Sequence, residues 1–282
     1  MIRIFALPGA GSSAITYYRW IPHLPSGFVI SPLDLPGRGM KIKEEKILEN
    51  ARLIDYLHQA IVDKMQGKEQ EEYVLIGNSF SSILAIQLCK KIEEKQQIKT
   101  PLRLFVAVEP PPTILATRKK VSEDPMQKAF IEQVLERFFE DGVTSEHMRK
   151  RATDLVLKKL YEDKEAFHQL KAEALYQELY PGQEAIQKES MELLTFLLEH
   201  IGLFLGDEDM IHEVSSENLT VSTDIDAFGA TNDSIANEKE LREWEAFTTG
   251  NFRVSMFNGD HTILYDNPKI IIDQMKEVLR YS

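Results

Sequence analysis

The stretch Tyr73 to Ile92, YVLIGNSFSSILAIQLCKKI, constrains the fold more than any other part of the chain. Tyr73 to Ile76 is short and apolar throughout, the pattern of a strand buried on both faces. Ile83, Leu84, Ile86 and Leu88 then recur as the apolar face of a helix. Only Gly77 to Ser81 lie between, so Ser79 occupies the apex of a tight strand-to-helix corner. Such a corner is either a plain connection or a device that lifts a hydroxyl above the edge of a sheet, with a helix N-terminus behind it.

The flanking sequence supplies the sheet. Apolar runs at Ile2–Leu7, Phe28–Leu35 and LRLFVAVEPPP alternate with a turn and helix in GAGSSAITYYRWIPHL and a polar helix from about Glu44 to Met65. Strands alternating with helices imply a parallel sheet covered on both faces. The alternation then stops for about a hundred residues. In its place stand amphipathic helical patterns: Met126, Ala129, Phe130, Val134, Phe138; then Ala152, Leu155, Val156, Leu160; then Phe167, Leu170, Ala174. The densest run, MELLTFLLEHIGLFLG, is broken by Glu192, Glu199 and His200 and is too short to span a bilayer. Alternation resumes with a strand at Val221–Phe228, a helix from about Asn237 to Phe247, a strand in FRVSMFNG and a closing helix PKIIIDQMKEVLRY. The expected organisation is an α/β core of residues 1–112 and 218–282, interrupted by a helical insertion over 113–217.

Charge follows the same division. The chain carries a net charge of -12, which argues against nucleic acid as a ligand, because such binding rests on Lys and Arg neutralising phosphates. From Thr113 to Thr220 there are 22 Asp and Glu against 13 Lys and Arg, a net of -9. The first eleven residues are too short an apolar run for a signal peptide, and a cytoplasmic location is expected. One cysteine, Cys89, lies on the helix after Ser79 and excludes an internal disulfide.

Ligands of a parallel sheet bind at the carboxyl ends of its strands. Three residues just beyond strands stand out: Ser79; Asp233, in FGATNDSI; and His261, in FNGDHTIL. Singly, each has a simpler reading, as a helix cap, a turn residue and a polar loop residue. Together they follow three separate strands in the order Ser, Asp, His, the order in which α/β-hydrolases supply nucleophile, orienting acid and base. A serine hydroxyl is a poor nucleophile near neutral pH, so an imidazole must take its proton and a carboxylate must orient that imidazole. Backbone amides must also offset the oxyanion, and those of Phe80 and of Ala10 in LPGAGSS are the candidates. Ser81 stands where the usual G-x-S-x-G elbow has its last glycine, and Ser81 or Ser82 could cap the helix instead. Asp226, Asp260 and Asp266 compete with Asp233 for the orienting role.

GAGSSA also fits the G-x-G-x-x-G/A dinucleotide pattern, with Asp34 about 20 residues on to hold a ribose. That rival reading implies an NAD-dependent oxidoreductase. Against it, bulky ITYYRW follows the glycines, Asp34 runs into the rigid turn LPGRG, and Ser79, Asp233 and His261 are left without a role.

Taken in order and spacing, FALPGAGSSAITYYRW, LDLPGRGMK, LIGNSFSSILAIQL and FGATNDSIANEKELREWEAFTTGNFRVSMFNGDHTIL resemble the type II thioesterases that accompany polyketide and nonribosomal peptide synthases. The resemblance implies an α/β-hydrolase fold with a helical lid as the insertion. It implies Ser79 as nucleophile, Asp233 as acid, His261 as base, and Ala10 and Phe80 as oxyanion amides. It implies no cofactor of the enzyme's own, the substrate being an acyl or peptidyl thioester on the phosphopantetheine arm of a carrier protein. The chain departs from the family at Gly9, Asn78, Phe80, Ser81 and Asp260, which bears on substrate preference. Two basic runs, Arg118 to Lys120 and Arg149 to Arg151, are candidates to meet an acidic carrier helix. A carboxylesterase of the same fold and a noncatalytic carrier-binding protein are the alternatives within it.

Overall fold

The computed structural model describes residues 1–119, 131–132, 146–162, 167, 170–182, 188–212 and 214–280; the side chains of 146–149, 162 and 280 are outside the description. The chain divides into two compact units, residues 1–117 with 210–282, and residues 118–209.

The first unit is built on six strands: β1 Ile2–Leu7, β2 Phe28–Pro32, β3 Glu72–Asn78, β4 Leu104–Ala107, β5 Ile225–Ala230 and β6 Phe252–Phe257. Among the described residues every pairing between them is parallel, in the order β2-β1-β3-β4-β5-β6. The chain leaves β1 toward β2 on one side and later returns to place β3 on the other. The carboxyl ends of β1 and β3 therefore flank the point where the direction of winding reverses, where a parallel sheet opens a crevice.

The period-two alternation of β1 and β3 feeds two cores. Phe5, Leu7, Tyr73 and Leu75 point to one face, packed by helix α1 (Asn50–Met65) and helix α2 (Ser81–Lys95). Ile4, Ala6, Val74 and Ile76 point to the other, covered by Tyr17, Trp20 and the C-terminal helix Pro268–Arg280. All eight of these strand side chains are buried, which explains why the strands read as apolar runs rather than alternating ones.

Several expected boundaries move, each for a local reason. The segment after β1 is a ten-residue 3-10 helix, Ala14–His23, capped by Ser13 Oγ accepting from the Ile15 amide and carrying Pro22 inside it. α1 starts at Asn50 rather than Glu44, because its inward face begins with Leu53, Ile54 and Leu57, and the Glu44 carboxylate instead accepts from Tyr56 Oη. β5 begins at Ile225 rather than Val221, since the Glu93 carboxylate on α2 draws in the Ser222 and Thr223 amides. The helix expected from Asn237 to Phe247 splits into an α-turn, Glu238–Arg242, closed by an Asn237–Glu240 capping box, and a 3-10 turn, Glu243–Phe247.

In the second unit, helices cover Glu146–Glu162 and Ala172–Leu179, and the helix Lys188–His212 begins there. Ala152, Val156, Leu160, Leu175 and Leu197 are buried, as their helical spacing requires. The helical pattern from Met126 to Phe138 lies outside the described residues, apart from Ile131 and Glu132. Of the basic runs, Lys120 and the Arg149 side chain also lie outside them. Lys119, Lys150 and Arg151 are exposed, and Arg151 donates to the Glu178 carbonyl. Among the described residues no helix is long and apolar enough to cross a membrane.

Candidate active site

Ser79 sits between β3 and α2 with φ of 51°, in a left-handed region that a non-glycine residue enters at a cost of about 1–3 kcal/mol. Its amide donates to the Ala107 carbonyl, 2.8 Å, and its carbonyl accepts from the Ser82 amide, 2.7 Å, so both flanks of the strained residue are fixed. Gly77 makes the corner possible. A Cβ there would stand 2.3 Å from the Ser81 carbonyl oxygen and 2.6 Å from Ser82 Cα.

The neighbouring serines have other employment. Ser82 Oγ accepts from the Ala107 amide, 3.0 Å, and contacts the Gly77 carbonyl, 3.0 Å, fastening α2 to β3 and β4. Ser81 Oγ donates to the Pro8 carbonyl in the loop after β1. Ser81 in the glycine position of the elbow is thus a tie between the corner and that loop. Neither caps α2, whose N-cap position is Phe80 and has no side-chain cap.

His261 joins Ser79 to Asp233. Its Nε2 lies 2.9 Å from Ser79 Oγ, and its Nδ1 lies 3.1 Å from both Asp233 carboxylate oxygens. The Asp233 side chain is fully buried and that of His261 is 12% exposed. Asp233 Oδ1 also accepts from the Ile235 amide, 2.8 Å, which holds the carboxylate in its turn after β5. The competing acids are engaged elsewhere. Asp226 pairs with Arg103, 2.6 Å; Asp260 accepts from the Thr262 amide, 2.9 Å; and Asp266 contacts Thr262 Oγ1.

The loop after β1 lies against the corner. Tyr265 Oη accepts from the Gly9 amide, 2.9 Å, and from Asn78 Nδ2, 2.7 Å, so one partly buried phenol binds the loop and the residue before Ser79 together. Burial pushes the Tyr265 hydroxyl above its ordinary range, and the Gly9 and Asn78 bonds oppose that. A Cβ on Gly9 would come within 2.9 Å of Asn78 Nδ2. The Gly9 amide is committed to Tyr265, whereas the Ala10 and Phe80 amides donate to no partner among the described residues.

Asp34 is engaged by the backbone at both carboxylate oxygens. Its Oδ1 accepts from the Ala14 amide, 2.7 Å, and its Oδ2 from the Met40 amide, 2.9 Å, so it pins the turn after β2 to the start of the 3-10 helix. The glycine pattern is therefore corrected from a dinucleotide fingerprint to a loop built for close approach to the corner.

A family model described as "Thioesterase domain" matches residues 2–279. The chain belongs to the thioesterase domain family. Membership makes it a thioester hydrolase and excludes the oxidoreductase reading. This thioesterase is 22% identical to the gramicidin S biosynthesis protein GrsT of Aneurinibacillus migulanus, over 99% of the chain and 89% of the relative. It is 24% identical to the medium-chain S-acyl fatty acid synthase thioesterase of Rattus norvegicus, over 100% and 89%. Among solved structures, ClbQ from the colibactin NRPS/PKS pathway superposes with a TM-score of 0.66 at 21% identity, covering 99% of the chain and 97% of ClbQ. The type II thioesterase BorB from the borrelidin biosynthetic cluster gives 0.63 at 19%, covering 99% and 91%. At these identities the structural likeness establishes the α/β-hydrolase fold of the thioesterase.

Sequence reasoning passed over two residues at the site, Tyr265 and Glu109. Glu109 Oε2 lies 3.2 Å from Ser79 Oγ. Its signal was position alone: it is the first charged residue beyond β4, at the same sheet edge as Ser79, Asp233 and His261.

Proposed function

We propose that this thioesterase hydrolyses acyl or peptidyl thioesters held on the phosphopantetheine arm of a carrier protein, through an acyl-Ser79 intermediate. The observation that carries the reading is the unbroken hydrogen-bond line from Asp233 through His261 to Ser79. Ser79 Oγ attacks the thioester carbonyl while His261 Nε2 takes its proton, and Asp233 holds the Nδ1 proton and stabilises the imidazolium. The Ala10 and Phe80 amides receive the oxyanion, each such donor contributing about 3–4 kcal/mol. Collapse expels the thiolate, which leaves as the thiol with the proton from His261. Water, deprotonated by the same imidazole, then attacks the acyl-Ser79 ester and releases the acid.

Family membership favours thioester over oxygen ester. The carrier-bound substrate is supported by the biosynthetic settings of GrsT, ClbQ and BorB. The assembled Ser, His and Asp weigh against a noncatalytic carrier-binding role.

The purified protein, mixed with an acylated carrier protein or an acyl N-acetylcysteamine, should release free acid, and Ser79→Ala should abolish turnover above background. Release unchanged in Ser79→Ala would sink the mechanism. Faster turnover of the matched oxygen ester would favour the carboxylesterase alternative.

A further inference from the structure

Among the described residues Ser79 Oγ has two polar side-chain contacts, His261 Nε2 at 2.9 Å and Glu109 Oε2 at 3.2 Å. The second is built rather than incidental. Glu109 is 2% exposed and follows Val108, which has φ of 52°, a conformation that makes a β-branched residue a genuine outlier. The strain is held from both sides: the Val108 amide donates to the Phe228 carbonyl, 2.8 Å, and Trp244 Nε1 donates to the Glu109 carbonyl, 2.8 Å. An over-determined kink of this kind directs the carboxyl group toward the serine.

The hydrogens available at the contact fix the form of Glu109. Ser79 has one hydroxyl hydrogen, and for His261 to act as base that hydrogen must lie between Oγ and Nε2. The Nδ1 hydrogen is on the Asp233 side. The Oγ to Oε2 contact then joins two oxygens, and a hydrogen between them must come from Glu109. An ionised Glu109 would instead draw the serine hydrogen to itself, since a charged acceptor forms the stronger bond. It would also set an anion beside the developing oxyanion.

We infer that Glu109 is a further catalytic residue: an uncharged carboxylic acid that donates to Ser79 Oγ and so directs the serine hydrogen to His261. It keeps its proton throughout. In the acyl-enzyme Oγ is an ester oxygen that still accepts from Glu109, and in deacylation the same donor eases the departure of Oγ before His261 returns its proton. Glu109→Gln offers an amide N–H to the same atom, whereas Glu109→Ala and Glu109→Met offer none.

The inference rests on Ser79 as nucleophile, so two readouts are compared: kcat/KM on an acyl N-acetylcysteamine, and the rate of Ser79 labelling by a fluorophosphonate, which needs no thioester. Loss of one hydrogen bond in the site corresponds to roughly a tenfold effect. Glu109→Gln is expected within about threefold of the parent protein in both readouts, and Glu109→Ala about tenfold or more below it. Glu109→Met, which keeps the volume, gives the same reading where Ala lowers the unfolding temperature. Gln as slow as Ala would mean that the ionised carboxylate is required, and Ala or Met as fast as the parent would make Glu109 a bystander; either overturns the inference. Parent protein that labels but leaves the thioester intact would refute the thioesterase reading, while the labelling series still decides Glu109.

Discussion

Gly77→Ala tests whether the serine corner works through backbone contact between strand and helix. The added Cβ would meet the Ser81 carbonyl oxygen at 2.3 Å, the Ser81 carbonyl carbon at 2.5 Å and Ser82 Cα at 2.6 Å. None of these is the free end of a side chain that could swing away. Restoring ordinary contact requires the first turn of α2 to retreat from β3 by about 1 Å, against the close packing of a protein interior. That retreat stretches the 3.0 Å bond from the Ala107 amide to Ser82 Oγ and carries the Phe80 amide and Ser79 with it. Overpacking of this kind costs about 1–3 kcal/mol, which in a domain of this size lowers the unfolding temperature by roughly 2–12 °C. Activity should suffer more than stability, because a displacement of about 1 Å at reacting groups costs on the order of a hundredfold. The assay is kcat/KM on an acyl N-acetylcysteamine beside a thermal melt. A folded Gly77→Ala variant within threefold of the parent protein would refute the claim that close approach at Gly77 sets the site.

Two further perturbations probe the supports. Tyr265→Phe removes the acceptor shared by the Gly9 amide and Asn78 Nδ2, leaving two buried donors unpaired. It should destabilise the protein by about 1–3 kcal/mol and lower kcat about tenfold with KM nearly unchanged, because the loop carrying the Ala10 amide loses its tie; a rise confined to KM would contradict that role. Glu208, on the helix Lys188–His212, is pushed up to about 8, chiefly by burial and then by Asp207 and Asp209, with Arg118 opposing. Between the ordinary carboxylate range and pH 8 the folded protein retains a proton that the unfolded chain releases, so stability falls as pH rises through that window and levels off above it. The stabilisation gained in Glu208→Gln should therefore grow by up to about 1.4 kcal/mol per pH unit from pH 5 to 8. Melts showing the same gain at both ends would refute this.

The sequence by itself determined the parallel sheet and the chain order of the site. Strand segments buried on both faces must be apolar, so Ile4–Leu7 and Tyr73–Ile76 announce themselves, and Ser79, Asp233 and His261 are legible because each follows a strand. What the sequence left open depended on groups remote in the chain. Asp233 was one acid among four until Arg103 and Thr262 proved to engage Asp226, Asp260 and Asp266. Asp34 fitted a ribose until two backbone amides claimed its oxygens. Ser81 looked like a defect in the elbow until its hydroxyl reached the Pro8 carbonyl, 73 positions away. Glu109 and Tyr265 carried no motif at all. Periodicity records which side of a strand or helix meets the core. Hydrogen-bond partners are chosen by distance in space, which only the folded chain defines.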